Sequence, residues 1–373
     1  MNEIKTNTET EAGAANRYQP ALNLVAKSAP NRLGLDYVAE EKNLPYYASA
    51  DDWHTSSKPI WDVHNHISDL DAAKLFFEVA DVYGIERVWT MAQLEVVDEI
   101  KQAFGDRIQF IAIPNFAAGK EDPDAFAGDW LKRIEQFRER GSRIVKLWAA
   151  PRGRDLGGDA LLLDSPIRRE GIKLARSLDM MFMVHISDPD TWFAMHYKDS
   201  EKYGTKAQQY EPLERLLDEY GDVPWIAAHM GGDPEDLEHL QRLLDAHKNL
   251  YLDTSATKWM VRELSKHPDQ FLDFCKRNAG RVLFGSDIVA TTSANTVSAE
   301  MTFDLVASRW WALRTLFETN YDGPSPIVDP DLHLVDPQVS PEATATLRGA
   351  KFDQQTLESV YHDAAKKLLS DWV

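Results

Sequence analysis

Cysteine is almost missing from this chain: Cys275 is the only one in 373 residues. An internal disulfide is therefore excluded, and so is a zinc site built from cysteine thiolates; a reducing compartment is the matching expectation. Long apolar runs are missing too. No stretch approaches the roughly 18 consecutive apolar residues that a membrane-spanning helix needs. The first twenty residues, MNEIKTNTETEAGAANRYQP, lack the apolar centre of a secretory signal, so a soluble cytoplasmic protein is expected. Basic charge is outweighed: 41 Lys and Arg stand against 60 Asp and Glu, a formal net charge of −19. A chain so acidic repels polyphosphate backbones and anionic bilayers, which argues against nucleic acid and membrane surfaces as partners. Glycine-rich phosphate loops are also absent after the first strand-like run and after the seventh and eighth. This weighs against a dinucleotide-binding open sheet and against a metal-free phosphate-binding barrel.

What is present begins with a polar, aperiodic arm over residues 1–16, read as disordered. An extension with some apolar character follows over 17–58 and is expected to pack on the main body. From position 59 a rhythm sets in. Short apolar runs occur at 59–64, 87–92, 107–114, 143–149, 180–187, 224–230, 249–255 and 281–287, separated by segments of helical periodicity. Gly84, Gly105, Gly141, Gly221, Asn249 and Gly280 precede runs as helix stop signals. Near-continuous apolar strands are buried on both faces, and eight βα units predict a (β/α)8 barrel, here over residues 59–373. After the eighth run come an amphipathic helix at 302–319, a Pro- and Asp-rich loop from 320 to about 343, and a last helix near the C-terminus. The apolar surface of the extension and of the Trp-rich helix exceeds what a lone barrel helix needs, so a homodimer is expected.

Of eleven histidines, two stand one residue apart in DVHNH, where the first run ends. Strand residues alternate faces, so His64 and His66 point the same way and can grip one metal ion. His185 closes the fifth run, His229 the sixth and Asp287 the eighth, while Lys146 lies late in the fourth. Strand C-termini open into the mouth of a barrel, so this shared placement marks a candidate site. His54, His196, His239, His247, His267, His333 and His362 fall in helices or loops and read as solvated or hydrogen-bonded side chains.

A His-x-His on strand one, histidines on strands five and six and an aspartate on strand eight resemble the amidohydrolase superfamily. DVHNHI, AHMGG, FGSD and the closing LESVYHDAAKKLL are similar to the amidohydrolase-related branch. That branch includes aminocarboxymuconate-semialdehyde decarboxylase, γ-resorcylate decarboxylase and assorted hydrolases and hydratases. The resemblance spans 59–372. The chain departs from it at Ile288-Val289, where the branch often has Pro, and at Asp363, where it usually has Asn.

The resemblance implies a metal-dependent barrel enzyme. Neutral imidazoles with a carboxylate suit zinc, with manganese or iron as alternatives, at one ion per chain. His64, His66 and His185 are the implied ligands, and Asp287 is a ligand or a base on the metal's water. His229 is the implied acid–base or orienting histidine. Asp62 shares the face of His64 and His66 and reads either as support for a ligand or as a buried tie to a neighbouring strand. Lys146 reads as an amine that binds substrate, the alternative being a carboxylated bridge between two metals. Arg152, Arg154 and Lys258 would recognise an anionic substrate. Trp148, Trp192 and Trp259 would wall an aromatic pocket, and Arg309 is expected nearer the mouth than Arg314. The leading function is hydrolysis of a small, carboxylated substrate by metal-activated water. The alternatives are non-oxidative decarboxylation of a small aromatic or unsaturated acid, and a metal-binding barrel without catalysis.

Overall fold

The computed structural model describes residues 56–115, 123–292 and 303–370. The arm and nearly all of the extension lie outside the described residues. Eight parallel strands alternate with helices: β1 (Ile60–Ile67), β2 (Ile85–Met91), β3 (Ile108–Ala112), β4 (Ile144–Trp148), β5 (Met181–His185), β6 (Trp225–Ala227), β7 (Leu250–Asp253) and β8 (Val282–Leu283). Each pairs with the next in sequence. After a bend at 284–287, β9 (Ile288–Ala290) pairs in parallel with β1, through Asn65 opposite Ile288 and Ile67 opposite Ala290. The eighth unit thus joins β7 at its start and β1 at its end, which closes the (β/α)8 barrel. Ile288 and Val289 continue that strand, in the place where the branch often carries Pro.

The helices form because their apolar positions recur on one face and their ends are capped. In α1 (Leu70–Tyr83), the Asp69 carboxylate accepts the Ala72 N–H, and Gly84 ends the helix in the left-handed region at φ 71°. Burial pushes the Asp69 carboxyl up, but bonds from Ser68, Ala72 and Thr292 outweigh it and hold its pKa at about 2. The bond to Thr292 also ties the start of α1 to the chain just beyond β9.

Residues 302–319 form α2 (Phe303–Glu318), as the periodicity predicts. Its described side chains are buried nearly all round: Val306, Trp310, Leu313, Leu316 and Phe317 are fully covered. Phe76 of α1 packs edge-on to Trp310 at 4.9 Å, and Phe352 stacks on Phe317 at 5.4 Å. The apolar surface of this helix that suggested a dimer contact is therefore covered within the chain. The expected Pro-rich loop is largely structured. It holds the antiparallel ribbon β10 (Asp322–Val328) and β11 (Thr344–Arg348), with a short helix at Asp331–Val335 between them. Two prolines in DGPSPIV read as strand-breaking, but β10 has only one neighbour, so one edge needs no N–H donors.

The terminal helix spans 354–369, with a π-helical turn at Ser359–Asp363. Lys58 reaches back to Asp363 at 2.6 Å and Ser57 Oγ to Glu358 at 2.5 Å, clamping this helix to the start of β1. Asp363, where the branch usually has Asn, is thus an ion-pair partner. No helix among the described residues is long and apolar enough to cross a membrane.

Candidate metal centre and active-site cavity

A cavity of about 1020 Å³ opens at the C-terminal ends of the strands, and His64, His66, Lys146, His185, His229 and Asp287 all line it. This is the end at which barrels carry their functional loops. His66 Nε2 lies 3.1 Å and His64 Nε2 3.5 Å from Asp287 Oδ1. The donor atoms of His64, His66 and Asp287 all lie within 4.8 Å of one another, as one cation requires. Burial opposes charge on Asp287, but the facing His64 and His66 rings outweigh it and hold the carboxyl below its usual range. A second such group comprises His64, His229 and Asp253. His185 belongs to neither group. Its Nε2 is bonded to Asp188 Oδ1 at 2.9 Å, and Asp188 in turn accepts from the Tyr197 hydroxyl at 2.6 Å. The His185 ring packs edge-on to His229 at 4.4 Å.

Local backbone places these groups. His229 has φ 60°, Met230 50°, Ala256 61° and Asp287 55°, four left-handed non-glycine residues just beyond β6, just beyond β7 and at the end of the β8–β9 bend. Such conformations persist only where the surroundings hold them. The Asp287 N–H donates to the His64 carbonyl at 2.8 Å, and the His229 N–H to Asp253 Oδ1 at 2.8 Å. Past His229 the chain needs Gly232 (φ 75°): a Cβ there would stand 2.1 Å from the Ser187 carbonyl oxygen.

His64 is fully buried. Its Nδ1 lies 2.8 Å from Asp253 Oδ2, and its Nε2 lies 3.0 Å from Lys146 Nζ. Burial lowers the His64 pKa, and lowers His229 well below the ordinary imidazole value, where the neighbouring His185 and His64 act in the same direction. Both rings are therefore neutral, the form that ligates metals and accepts protons. Burial also lowers the Lys146 amine to about 8, against the pull of Asp287 and Asp253.

Asp62 is tied to the bend that carries Asp287. Its carboxylate accepts from the Ser286 N–H at 3.0 Å, the Ser286 hydroxyl at 2.6 Å and the Trp310 indole at 2.9 Å. The two readings of Asp62 merge, since this tie to a neighbouring strand supports the segment that bears a candidate ligand.

Among the expected substrate-binding residues, Lys146, Trp148, Lys258 and Arg309 line the cavity, and so does Trp259. Lys258 stands 3.4 Å from Asp331, and Arg309 is bonded to the Leu305 carbonyl at 3.0 Å. Arg314 turns to Glu318 and the Tyr83 carbonyl instead. Arg152, Arg154 and Trp192 are not in the lining. Arg152 is exposed, and Arg154 is paired with Asp159 at 3.0 Å in the same loop, so local acids and solvent hold these cations. Trp192 packs edge-on against Trp259 at 5.6 Å and donates to Asp331 at 3.0 Å.

Sequence reasoning missed Asp253 and Ser255, at and just beyond the end of β7, which bond to His64 and His229 behind the cavity. It also missed Ile327, Val328 and Pro330 of the ribbon segment, which line the cavity. Asp253 and Ser255 share the i, i+2 spacing and strand-end placement that singled out His64 and His66. The ribbon residues carry no local signal, because only the tertiary fold brings them over the mouth.

The sequence profile described as amidohydrolase matches residues 61–370. The chain belongs to the amidohydrolase family. It is thus an enzyme of that family. No curated protein matches it. Among solved structures it is similar to 5-carboxyvanillate decarboxylase from Novosphingobium aromaticivorans, complexed with manganese and 4-hydroxy-3-methoxy-5-nitrobenzoic acid. The two share 11% identity over 86% of this chain and 99% of that one, with a TM-score of 0.43. An amidohydrolase from Burkholderia multivorans with bound zinc shares 12% identity over 84% and 99% of the two chains, at a TM-score of 0.46. Amidohydrolase 2 from Bifidobacterium longum subsp. infantis shares 13% over 84% and 99%, at 0.33.

Proposed function

We propose that this amidohydrolase is a metal-dependent hydrolase of a small, carboxylated substrate. The observation that carries the proposal is the convergence of His64, His66 and Asp287 donor atoms beneath a large cavity lined by further cationic side chains. The residues present fit a cation: two imidazoles face a carboxylate held in its charged form. His64, His66 and Asp287 would hold the ion, with His185 of the same cavity as fourth donor. One zinc per chain suits this set, with manganese or iron as alternatives. When bound, the metal supplies a Lewis acid that polarises a substrate oxygen and activates water.

The protein's own groups supply the rest. His229, neutral and beside the cluster, takes a proton from the attacking water and returns it to the leaving group. Lys146 and Arg309, both in the cavity lining, would hold a substrate carboxylate by charge-assisted bonds. Trp148 and Trp259 offer flat apolar walls, and the ribbon shields the mouth from water.

Those aromatic walls favour a second reading, non-oxidative decarboxylation of a small aromatic acid, which uses the same donors. Turnover of a panel of carboxylated esters, lactones, amides and aromatic acids, with CO2 measured directly, separates the two. Hydrolysis products without CO2 support the hydrolase; CO2 from every acid that turns over overturns it.

A further inference from the structure

β7 ends in Leu-Tyr-Leu-Asp-Thr-Ser, and its Asp253 and Ser255 stand between the two most buried histidines of the cavity. Asp253 is fully buried, so each bond to its carboxylate counts. Its Oδ2 faces His64 Nδ1 at 2.8 Å. Its Oδ1 accepts from the His229 N–H at 2.8 Å, the Ser255 N–H at 3.1 Å and the Ser255 hydroxyl. Ser255 Oγ also lies 2.7 Å from His229 Nδ1, 3.0 Å from His64 Nδ1 and 3.2 Å from the His229 N–H nitrogen, so it faces the same nitrogen of both rings.

The donor count fixes the protons. A carboxylate only accepts, so His64 must carry its proton on Nδ1 to bond Asp253. An ammonium only donates, so the Lys146 bond at 3.0 Å independently requires a lone pair on His64 Nε2. A serine hydroxyl has one proton, and its strongest acceptor here is the Asp253 carboxylate. Having given that proton to Asp253, Ser255 Oγ can only accept from His229, whose proton must then sit on Nδ1.

We infer that Asp253 and Ser255 are positioning residues that lock His64 and His229 in the same tautomer, Nδ1 protonated, with the lone pair of each ring carried on Nε2. One carboxylate holds His64 directly and His229 through the serine hydroxyl. The inference rests on the reading of His64 as a ligand and His229 as the acid–base group. It adds that their readiness for those roles is set by two residues at and just beyond the end of β7, outside the His64–His66–Asp287 group. A ligand needs its lone pair free, and a general base needs the same. The shared anion meets both needs and holds the two rings 4.9 Å apart, centroid to centroid. Carboxylate partners of this kind orient metal-binding histidines generally; here a serine hydroxyl extends the same carboxylate to a second histidine.

The test is nitrogen NMR on the full chain labelled at histidine, with zinc added as the only ligand and rings assigned through His64→Asn and His229→Asn. The expected result is a low-field Nδ1 proton on both rings in the native protein. Ser255→Ala should lose the His229 signal and retain that of His64, while Asp253→Asn should shift both. A native His229 protonated on Nε2 overturns the inference without any variant having to fold, as does a Ser255→Ala protein that keeps the His229 Nδ1 signal. Zinc uptake is recorded on the same samples, so failure to bind metal would count against the proposed function, while the tautomers remain readable.

Discussion

Replacing Asp62 by Asn turns a buried acid into a near-isostere that cannot ionise, and the consequence depends on pH. Asp62 is completely buried, and burial raises its pKa from 3.8 to about 6 despite bonds from Ser286 and Trp310. A raised carboxyl pKa means that the unfolded chain releases this proton at lower pH than the folded one. Between pH 4 and 6 the folded state therefore binds more protons, and stability attributable to Asp62 falls as pH rises. The shift spans roughly two pH units at about 1.4 kcal/mol each, so the loss approaches ~3 kcal/mol. Urea unfolding of native and Asp62→Asn proteins at intervals from pH 4 to 7 isolates the effect, since other groups cancel in the difference. The native protein should lose ground to the variant by up to ~3 kcal/mol up to pH 6 and then hold level. A difference that stays flat, or that moves in favour of the native protein as pH rises, would refute the reasoning: the three donors would then outweigh burial. Asp62→Ala is a different perturbation. It leaves the buried Ser286 N–H and Trp310 indole without their acceptor and should cost about 2–4 kcal/mol at neutral pH.

Asp69→Ala removes the cap of α1 and should cost about 1 kcal/mol at pH 7. Because the folded pKa of about 2 lies below the unfolded value, that stabilisation is present above pH 4 and fades as pH falls through 2; a penalty that persists undiminished at low pH would contradict the pairing. Gly232→Ala combines a left-handed backbone with a clash against the Ser187 carbonyl and should cost about 3 kcal/mol or more in urea unfolding. Unchanged stability would mean that Gly232 and Ser187 are not in contact. His229→Asn should retain its metal while kcat falls by on the order of 10²; loss of metal as complete as in His185→Asn would make His229 a ligand.

The barrel was legible because its signals are periodic and repeated: eight apolar runs, each followed by a helix and several introduced by a glycine stop. His64, His66 and Asp287 were legible because strand alternation and strand ends fix where such side chains point. Arg152 and Arg154 looked equally suitable by residue type. They sit in a loop that turns back on itself through 3-10 and α turns, so sequence adjacency to β4 says nothing about where they project. The ribbon was hidden by its prolines, which a one-neighbour strand tolerates. Asp253 and Ser255 were visible in principle, by the same alternation that revealed the histidines. Their polar partners lie on β1 and just beyond β6, 189 and 26 residues away, so the bonds that give them meaning exist only in the fold.

Metal content measured by inductively coupled plasma mass spectrometry, on native protein and on His66→Ala refolded or exchanged with zinc, tests the central claim. His66 is the most exposed of the three clustered candidate ligands, with 40% of its side chain accessible, so its removal should spare the fold. The account predicts close to one ion per native chain and loss of that ion in His66→Ala, with an unchanged unfolding midpoint when the two proteins are compared metal-free. Full metal content in His66→Ala, or native protein that takes up none, would contradict it.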